Sequence, residues 1–277
     1  MKYGQAFSEI SSYIQSGVIS VKSLVNQHLQ NAETYKNLNS FLELFPDEAL
    51  DKAGKIDLKI KENTAGRLAG MIIGVKDVFC YKNHRVSAGS RILEGFESQF
   101  TATAIQRLLD EDAIIIGRQN CDEFAMGSSN ENSGYGNVLN FEGDHRVPGG
   151  SSGGSAVGVQ AGICMASIAS DTGGSIRQPA AFCGLVGLKP TYSRISRNGL
   201  VAYGSSFDCV GPITRSVEDA ALLLEVMAGE DTFDSTSSSK QVGSYSQPVE
   251  APGQYKIGIL GSVLNSEKLQ SEIKFEC

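Results

Sequence analysis

Two glycine-serine clusters, one helix and one strand apart, constrain this chain of 277 residues more than any other feature. They are GGSSGGS, which begins at Gly149, and DTGGS, which ends at Ser175. Such clusters are common in flexible linkers and in phosphate-binding loops. Both interpretations fit poorly, because no GK[ST] ending is present and an alanine- and valine-rich helical pattern directly follows the first cluster. The segment therefore indicates ordered turns beside secondary structure.

The spacing of apolar residues predicts a helical beginning and an α/β remainder. Over residues 5–62, apolar positions recur every three or four residues and β-branched alternation is absent, which predicts a helical N-terminal layer at 1–65. Over 66–277, short apolar runs alternate with helical patterns and glycine-rich turns. This alternation is typical of an α/β fold with a mixed, mostly parallel central sheet flanked by helices.

Segments near the end of the chain carry clear local signals. SVEDAALLLEVMAG at 216–229 has a capping serine, acids in its first turn and a terminal glycine, and is predicted to be a helix. Residues 230–253 are polar and predict a long surface loop. YKIGIL then predicts a strand, and EKLQSEIKFEC begins a helical pattern without a stop signal. We therefore expect the α/β domain to be incomplete at its C-terminus.

The composition argues against several functional classes. With 24 Lys+Arg, 31 Asp+Glu, a net charge of −7 and a pI near 5.1, the chain offers no general basic surface for DNA or RNA phosphates. Its six cysteines are scattered singly, which predicts reduced thiols and no metal site. No segment has the pattern of a membrane span or a signal sequence, so a cytoplasmic protein is expected.

The second cluster suits a serine nucleophile. A glycine-rich turn directly before a helix points several backbone N–H groups in one direction. The N–H groups of Thr172, Gly173, Gly174 and Ser175 are therefore candidate donors to the oxyanion of a tetrahedral intermediate. The Ser175 hydroxyl, at the edge of this turn, is the candidate nucleophile.

The base for this serine is predicted to be a lysine. His28, His84 and His145 lie in a helical pattern or in polar turns, outside any glycine-rich context. Lys76 places one cation inside the apolar run MIIGVKDVF, where desolvation lowers a lysine pKa toward the range in which the amine accepts protons. Taken alone, Lys76 also fits a side chain that extends from a strand end to solvent, and the serines fit loop or capping positions.

From Gly149 to Ala180 the chain resembles the amidase-signature family of serine hydrolases. The matching pattern is GGSSGG, then a helix of small residues, then D-x-G-x-S-I-R-x-P-A. The family uses a serine nucleophile, a second serine in cis configuration and a lysine. The resemblance implies that these residues are Ser175, Ser151 and Lys76, because the family's lysine also lies in a strand that ends in KD.

The resemblance also suggests roles for residues around the triad. Met126, Gly127 and Ser128 are similar to the family's wall of the acyl pocket, although a purely structural turn is an equal alternative. Asp171 and Arg177 are expected to hold the nucleophile loop in place and to take no part in proton transfer.

Within the family, the chain is most similar to the glutamine-hydrolysing subunits of tRNA-dependent amidotransferases. DEFAMGSSNENSGYGNV, RVPGGSSGGSA and the stretch from GLVGLKPTYSRIS to FDSTS carry this likeness. It implies that the chain releases ammonia from glutamine for the conversion of Glu-tRNA(Gln) to Gln-tRNA(Gln). The implied partners are amidotransferase subunits B and C, with Glu-tRNA(Gln) bound mainly through the partner. ATP and Mg²⁺ are expected in the partner subunit, and no cofactor is expected on this chain.

The chain departs from the family in a few places. Ile73 stands where proline is frequent, Val78 where a polar residue is frequent, and Ser193 where glycine is usual. The family's chain is considerably longer, and residues that recognise glutamine are expected beyond Cys277. Two alternatives stay open: a stand-alone amidase on small amides, which needs no partner, and a non-catalytic fragment or scaffold.

Overall fold

A mixed six-stranded sheet is the centre of the fold. The computed structural model describes residues 6–143, 145–247, 254, 258 and 260–276. In chain order the strands are β1 (Phe41–Leu44), β2 (Ile72–Lys76), β3 (Ile114–Gln119), β4 (Ala166–Asp171), β5 (Val186–Gly187) and β6 (Cys209–Thr214). In the sheet they lie in the order β1-β3-β2-β4-β6-β5.

The three central strands are parallel. β2 pairs in parallel with β3 on one side and β4 on the other, whereas the outer strands join through antiparallel pairs. All residues of β2, β3 and β4 are buried, as expected when both faces of a sheet are covered. The predicted mixed α/β sheet with flanking helices is confirmed. Lys76 and Asp171 are the last residues of β2 and β4. Because these strands are parallel, both residues lie where the carboxyl ends of the central strands meet.

Helices account for most of the remaining regular structure. They are α1 (Phe7–Gln15), α2 (Val21–Thr34), α3 (Pro46–Lys61), α4 (Thr103–Asp110), α5 (Gly153–Gln160), α6 (Arg177–Phe182), α7 (Val217–Met227), α8 (Gly261–Leu264) and α9 (Ser271–Glu276). Short 3-10 turns cover Lys36–Leu38 and Glu123–Ala125. In the described ranges, none of the helices combines the length and the apolarity needed to cross a membrane.

Helix α7 agrees with its sequence signals. The Ser216 side chain accepts a hydrogen bond from the Asp219 backbone N–H, and Glu218 and Asp219 occupy the first turn. Acidic side chains at this end of a helix interact favourably with the unpaired backbone N–H groups. The helix predicted over 216–229 is therefore confirmed, and in the structure it spans Val217–Met227.

Helix α5 carries the first glycine-serine cluster onto the sheet. Its sequence GGSAVGVQ is buried from Gly153 to Val159, and it contacts β2, β3, β4 and β6. The small residues are needed for this close approach, because a methyl group at Gly154 would come within 2.3 Å of the Asn120 carbonyl oxygen. The turn before α5 is thereby held against the ends of the central strands.

The N-terminal layer contains a strand, so the prediction of helix throughout 5–62 is wrong at β1. Its sequence FLEL has no β-branched residue and gives no local strand signal. β1 forms because its backbone pairs with β3, a tertiary contact that overrides local propensity. The division of the chain between residues 65 and 66 stays a prediction.

The chain forms two compact units, Met1–Ser246 and Gln247–Cys277. In the first unit, the segment after residue 230 has no helix or strand, as predicted for the polar loop. The end of that loop, at 248–253, lies outside the described residues. In the second unit, α9 covers part of the predicted helical pattern, whereas the predicted strand YKIGIL falls largely outside the described residues.

Gly117 allows β1 and β3 to pair closely, and its replacement is expected to destabilise the fold. A methyl group at Gly117 would come within 2.4 Å of the Glu43 carbonyl oxygen. Glu43 pairs with β3, so it cannot move away without disrupting the sheet edge. We expect Gly117→Ala to lower the free energy of unfolding by roughly 1–3 kcal/mol, measured by urea denaturation.

Gly54→Ala in α3 is the matched control, because nothing lies within 4 Å of a methyl group there. Alanine is favoured over glycine in a helix interior by roughly 0.5–1 kcal/mol, so this variant is expected to be more stable than the wild type. Equal stability changes in the two variants would contradict the steric role of Gly117.

Candidate active site

Lys76 is the central buried polar group of the site. It ends β2, and its side chain has no solvent exposure. Its Nζ lies 2.8 Å from Ser151 Oγ and 3.1 Å from Ser170 Oγ. Burial lowers the pKa of Lys76 to about 8, and the nearby carboxylates of Asp122, Asp171 and Asp208 act in the opposite direction. The amine can therefore accept a proton just above neutral pH.

Ser151 lies in a turn, residues 149–152, that we call the cis-serine turn. The peptide bond between Gly150 and Ser151 is cis, and Ser151 is fully buried. The Gly150 N–H donates to Gln178 Oε1 at 3.0 Å, and the Asp122 N–H donates to the Ser151 carbonyl oxygen at 3.1 Å. The structure thus brings Ser151 directly against Lys76.

Ser170 and Gln178 belong to this site but were not singled out by the sequence analysis. Ser170 is the second hydroxyl partner of Lys76 and lies on β4. Its signal in the sequence is its position directly before DTGGS. Gln178 lies in α6 at the unspecified position of the S-I-R-x-P-A pattern, so that pattern gives no signal for it.

Ser175 lies in the nucleophile turn, residues 172–175, between β4 and α6. The Asp171 carboxylate accepts the backbone N–H groups of Gly174 at 2.8 Å and Ile176 at 3.0 Å. The Arg177 guanidinium donates to both carboxylate oxygens at 3.0 Å. Burial alone would raise the pKa of Asp171, but these hydrogen bonds lower it overall. Asp171 and Arg177 thus tie the turn to the start of α6.

The predicted oxyanion donors differ in their hydrogen bonding. Within the described residues, the N–H groups of Thr172, Gly173 and Ser175 have no acceptor, whereas the Gly174 N–H is bonded to Asp171. The prediction that Gly174 donates to an oxyanion conflicts with this bond, because one N–H serves one acceptor well. An oxyanion hole formed by this turn stays a prediction.

Ser151 and Ser175 are not hydrogen-bonded to each other among the described residues. Among the described residues, no hydrogen bond joins Ser175 Oγ to Ser151 Oγ or to Lys76 Nζ. Catalytic hydrogen bonds are often long before substrate binds, so this separation does not argue against a serine nucleophile. The structure therefore brings Lys76 and Ser151 together, whereas the place of Ser175 in a proton relay stays a prediction.

Met126, Gly127 and Ser128 follow the 3-10 turn that ends at Ala125. Met126 and Ser128 are exposed, and Gly127 is partly buried. A methyl group at Gly127 would come within 2.3 Å of the Asp122 carboxyl carbon, so this segment packs closely on Asp122. Substrate binding by these three residues stays a prediction.

Within the described residues, His28 and His84 form contacts away from the serines of the site. His28 Nδ1 lies 3.2 Å from the Ile163 carbonyl oxygen, and burial lowers the pKa of His28 to about 4. His84 Nε2 lies 2.9 Å from a Glu48 carboxylate oxygen. Across the described ranges, no group of three or more His, Cys, Asp or Glu side chains is arranged to hold a metal ion.

Comparison with known proteins identifies relatives over most of the chain. The family profile of the amidases matches residues 23–276. The A-subunit of glutamyl-tRNA(Gln) amidotransferase from Chlorobium chlorochromatii (strain CaD3) is 49% identical over 257 residues, which are 92% of this chain and 54% of the relative. The chain thus spans about half the length of the curated relatives it matches.

Solved structures share the fold. The A-subunit of glutamyl-tRNA(Gln) amidotransferase from Thermotoga maritima has a TM-score of 0.71 and 38% identity, covering 80% of this chain and 46% of that one. Peptide amidase of Stenotrophomonas maltophilia has a TM-score of 0.77 and 33% identity, covering 87% and 50% of the two chains. With the profile match, these similarities show that the chain belongs to the amidase family, whose signature it carries around Ser151 and Ser175.

Proposed function

We propose that this chain hydrolyses glutamine and supplies ammonia in a tRNA-dependent amidotransferase. The observation that carries the hydrolytic part is the buried Lys76 amine 2.8 Å from Ser151 Oγ. Support for the substrate comes from relatives named as the A-subunit of glutamyl-tRNA(Gln) amidotransferase, which are 47% to 51% identical to the chain. Because the chain spans about half of those proteins, their activity and partners are carried to it as a proposal.

In the proposed reaction, Ser175 attacks the side-chain carboxamide carbon of glutamine. Its proton passes to Ser151, whose own proton passes to the neutral amine of Lys76. In this proposal, the N–H groups of Thr172 and Gly173, which have no acceptor among the described residues, stabilise the developing oxyanion. The proton then returns through Ser151 to the departing ammonia, and water hydrolyses the acyl-enzyme to glutamate.

In this proposal the ammonia is consumed by a partner protein. Amidotransferase subunits B and C complete the complex, and the partner uses ATP and Mg²⁺ to activate Glu-tRNA(Gln). A net charge of −7 suits an arrangement in which the tRNA binds mainly through the partner. This chain binds no cofactor of its own in the proposal, and the complex acts in the cytoplasm.

The nucleophile can be tested by separating the two ammonia sources. With partner subunits, ATP and Glu-tRNA(Gln) present, Ser175→Ala is expected to lower glutamine-dependent amidation by roughly 10⁴-fold, because the acyl-enzyme cannot form. Amidation from added ammonium chloride is expected to remain, since it bypasses Ser175. The measurement is formation of Gln-tRNA(Gln).

Ser23→Ala is the matched control. Ser23 is an exposed serine of α2 and is distant in sequence from the signature at 149–180. It is expected to keep both activities. Equal loss of the glutamine- and ammonium-dependent reactions in Ser175→Ala would overturn the assigned role of Ser175.

The pH dependence of acylation follows from Lys76. The neutral amine is the base, and burial lowers its pKa to about 8, so acylation speeds up as the pH rises through this value. At pH 6 the neutral fraction is about one-hundredth of its maximum, so the rate at which a fluorophosphonate phosphonylates Ser175, with release of fluoride, is expected to be about 100-fold below the plateau. A rate that is flat from pH 6 to 10 would exclude Lys76 as the base.

The stand-alone amidase is the second candidate, favoured by the structural similarity to a peptide amidase. It predicts turnover of small amides by this chain alone, with no effect of partner subunits. The amidotransferase proposal predicts glutamine hydrolysis that rises when subunits B and C and Glu-tRNA(Gln) are added. Steady-state ammonia release under the two conditions separates the candidates. If neither reaction occurs and fluorophosphonate does not label Ser175, the non-catalytic alternative is supported.

A further inference from the structure

Asp122 is a fully buried carboxylate that the proposed mechanism does not use. Its Oδ2 accepts the Asn130 N–H at 3.0 Å, and its Oδ1 accepts the Asn132 N–H at 3.1 Å. Burial raises the pKa of Asp122, and these two hydrogen bonds oppose that effect. Its own backbone N–H donates to the Ser151 carbonyl oxygen at 3.1 Å. One residue therefore contacts both the segment 127–132 and the cis-serine turn.

The Asp122 carboxylate is packed tightly between these two segments. A methyl group at Gly150 would come within 2.2 Å of Asp122 Oδ2, and one at Gly127 within 2.3 Å of the carboxyl carbon. Ala125 and Asn130 have positive φ angles of 59°. A residue other than glycine adopts a positive φ only where surrounding contacts stabilise it. Asp122 provides two such contacts, through the hydrogen bonds that it accepts from the Asn130 and Asn132 N–H groups.

The Asp122 carboxylate is hydrogen-bonded to backbone N–H groups and, within the described residues, forms no ion pair. In the part of the chain that the structure describes, no Lys, Arg or His lies within ion-pair distance of Asp122, whereas Asp171 is paired with Arg177. The groups whose charges act on Lys76 are Cys121, Asp122, Asp171 and Asp208. Burial raises the pKa of the Cys121 thiol to about 12, so this group is neutral. Among the three carboxylates that raise the pKa of Lys76 against the effect of burial, Asp122 has the largest effect.

We propose that Asp122 is a positioning residue for Ser175 acylation, which acts through Ser151 and Lys76. This inference rests on the proposed serine hydrolase function. The carboxylate joins the segment 127–132 to the cis-serine turn, which fixes Ser151 beside Lys76. Its negative charge favours the ammonium form of Lys76, so it sets the pH above which the neutral base is available.

The test compares wild type and Asp122→Asn by the rate at which a fluorophosphonate phosphonylates Ser175 from pH 6 to 10, as a substitute for acylation by substrate. Loss of the negative charge destabilises the ammonium form, so the midpoint of the pH profile is expected about one pH unit lower. One of the two backbone hydrogen bonds is also lost, because an amide has one acceptor oxygen. The plateau rate is therefore expected to fall about tenfold.

Asp219→Asn is the matched control. Asp219 is also a buried carboxylate that accepts a backbone N–H, from Phe7 at 3.0 Å, and burial raises its pKa. It is not among the groups that act on Lys76. Asp219→Asn is expected to leave the midpoint of the acylation profile unchanged, whatever its effect on thermal stability. A merely structural role for Asp122 predicts the same unchanged midpoint in Asp122→Asn.

Asp122→Ser provides a second variant, since serine is smaller and uncharged and can still accept one backbone N–H. It is expected to shift the midpoint in the same direction as Asp122→Asn. In the wild type, a ¹³C titration of the Asp122 carboxyl group is expected to show a small step near pH 8, when Lys76 loses its proton. This measurement requires no variant to fold.

The outcomes separate this inference from the proposed function. Unshifted midpoints in both Asp122 variants, or no step near pH 8 in the titration, would overturn the positioning role alone. Failure of the wild type to be acylated would overturn the proposed hydrolase function and this inference with it. The readout depends on Ser175 and Lys76 and not on glutamine or tRNA, so an incorrect substrate assignment leaves it valid.

Discussion

The contact between a buried lysine amine and a serine hydroxyl determines how the rest of the site is built. The shift of the Lys76 pKa from 10.5 to about 8 corresponds to a cost of roughly 3 kcal/mol for burial of the ammonium form. Ser151 and Ser170 offset part of this cost, because their hydroxyl oxygens accept hydrogen bonds from Nζ. When the amine is neutral, the same contact with Ser151 can transfer a proton. In the proposed mechanism, the base is therefore a lysine and not a histidine.

Carboxylates organise the turns around that contact by accepting backbone N–H groups. Asp122 binds two such groups, and Asp171 binds those of the nucleophile turn and the start of α6. Asp208 binds the Tyr203 and Gly204 N–H groups and the Thr172 hydroxyl. Buried backbone donors need partners, and a carboxylate can satisfy several at once. The same chemistry competes for the donors that an oxyanion requires, as the bond between Gly174 and Asp171 demonstrates.

The sequence predicted the features that depend on local pattern. Mixed α/β architecture, helix α7 and the proximity of Ser151 and Lys76 follow from periodicity, capping residues and a recognisable signature. Strand β1 could not be predicted, because FLEL becomes a strand only through pairing with β3. The contacts of the Gln178 side chain and of the Asp122 backbone with the cis-serine turn were missed for a similar reason: both join segments that are distant in the chain, and neither residue type signals its partner. A hydrogen bond between two single residues that are distant in the chain produces no periodic pattern in the sequence.

The hydrogen bond from the Gly150 N–H to Gln178 has a consequence for how the specificity of such a site can change. It joins the turn that bears Ser151 to helix α6, which directly follows the turn that bears Ser175, so a displacement of one is expected to affect the other. In the proposed mechanism, a substitution that displaces either turn would also disturb the alignment of Ser151 with Ser175. New substrate ranges are therefore expected to arise from exposed side chains such as Met126, which can vary without moving the catalytic backbone.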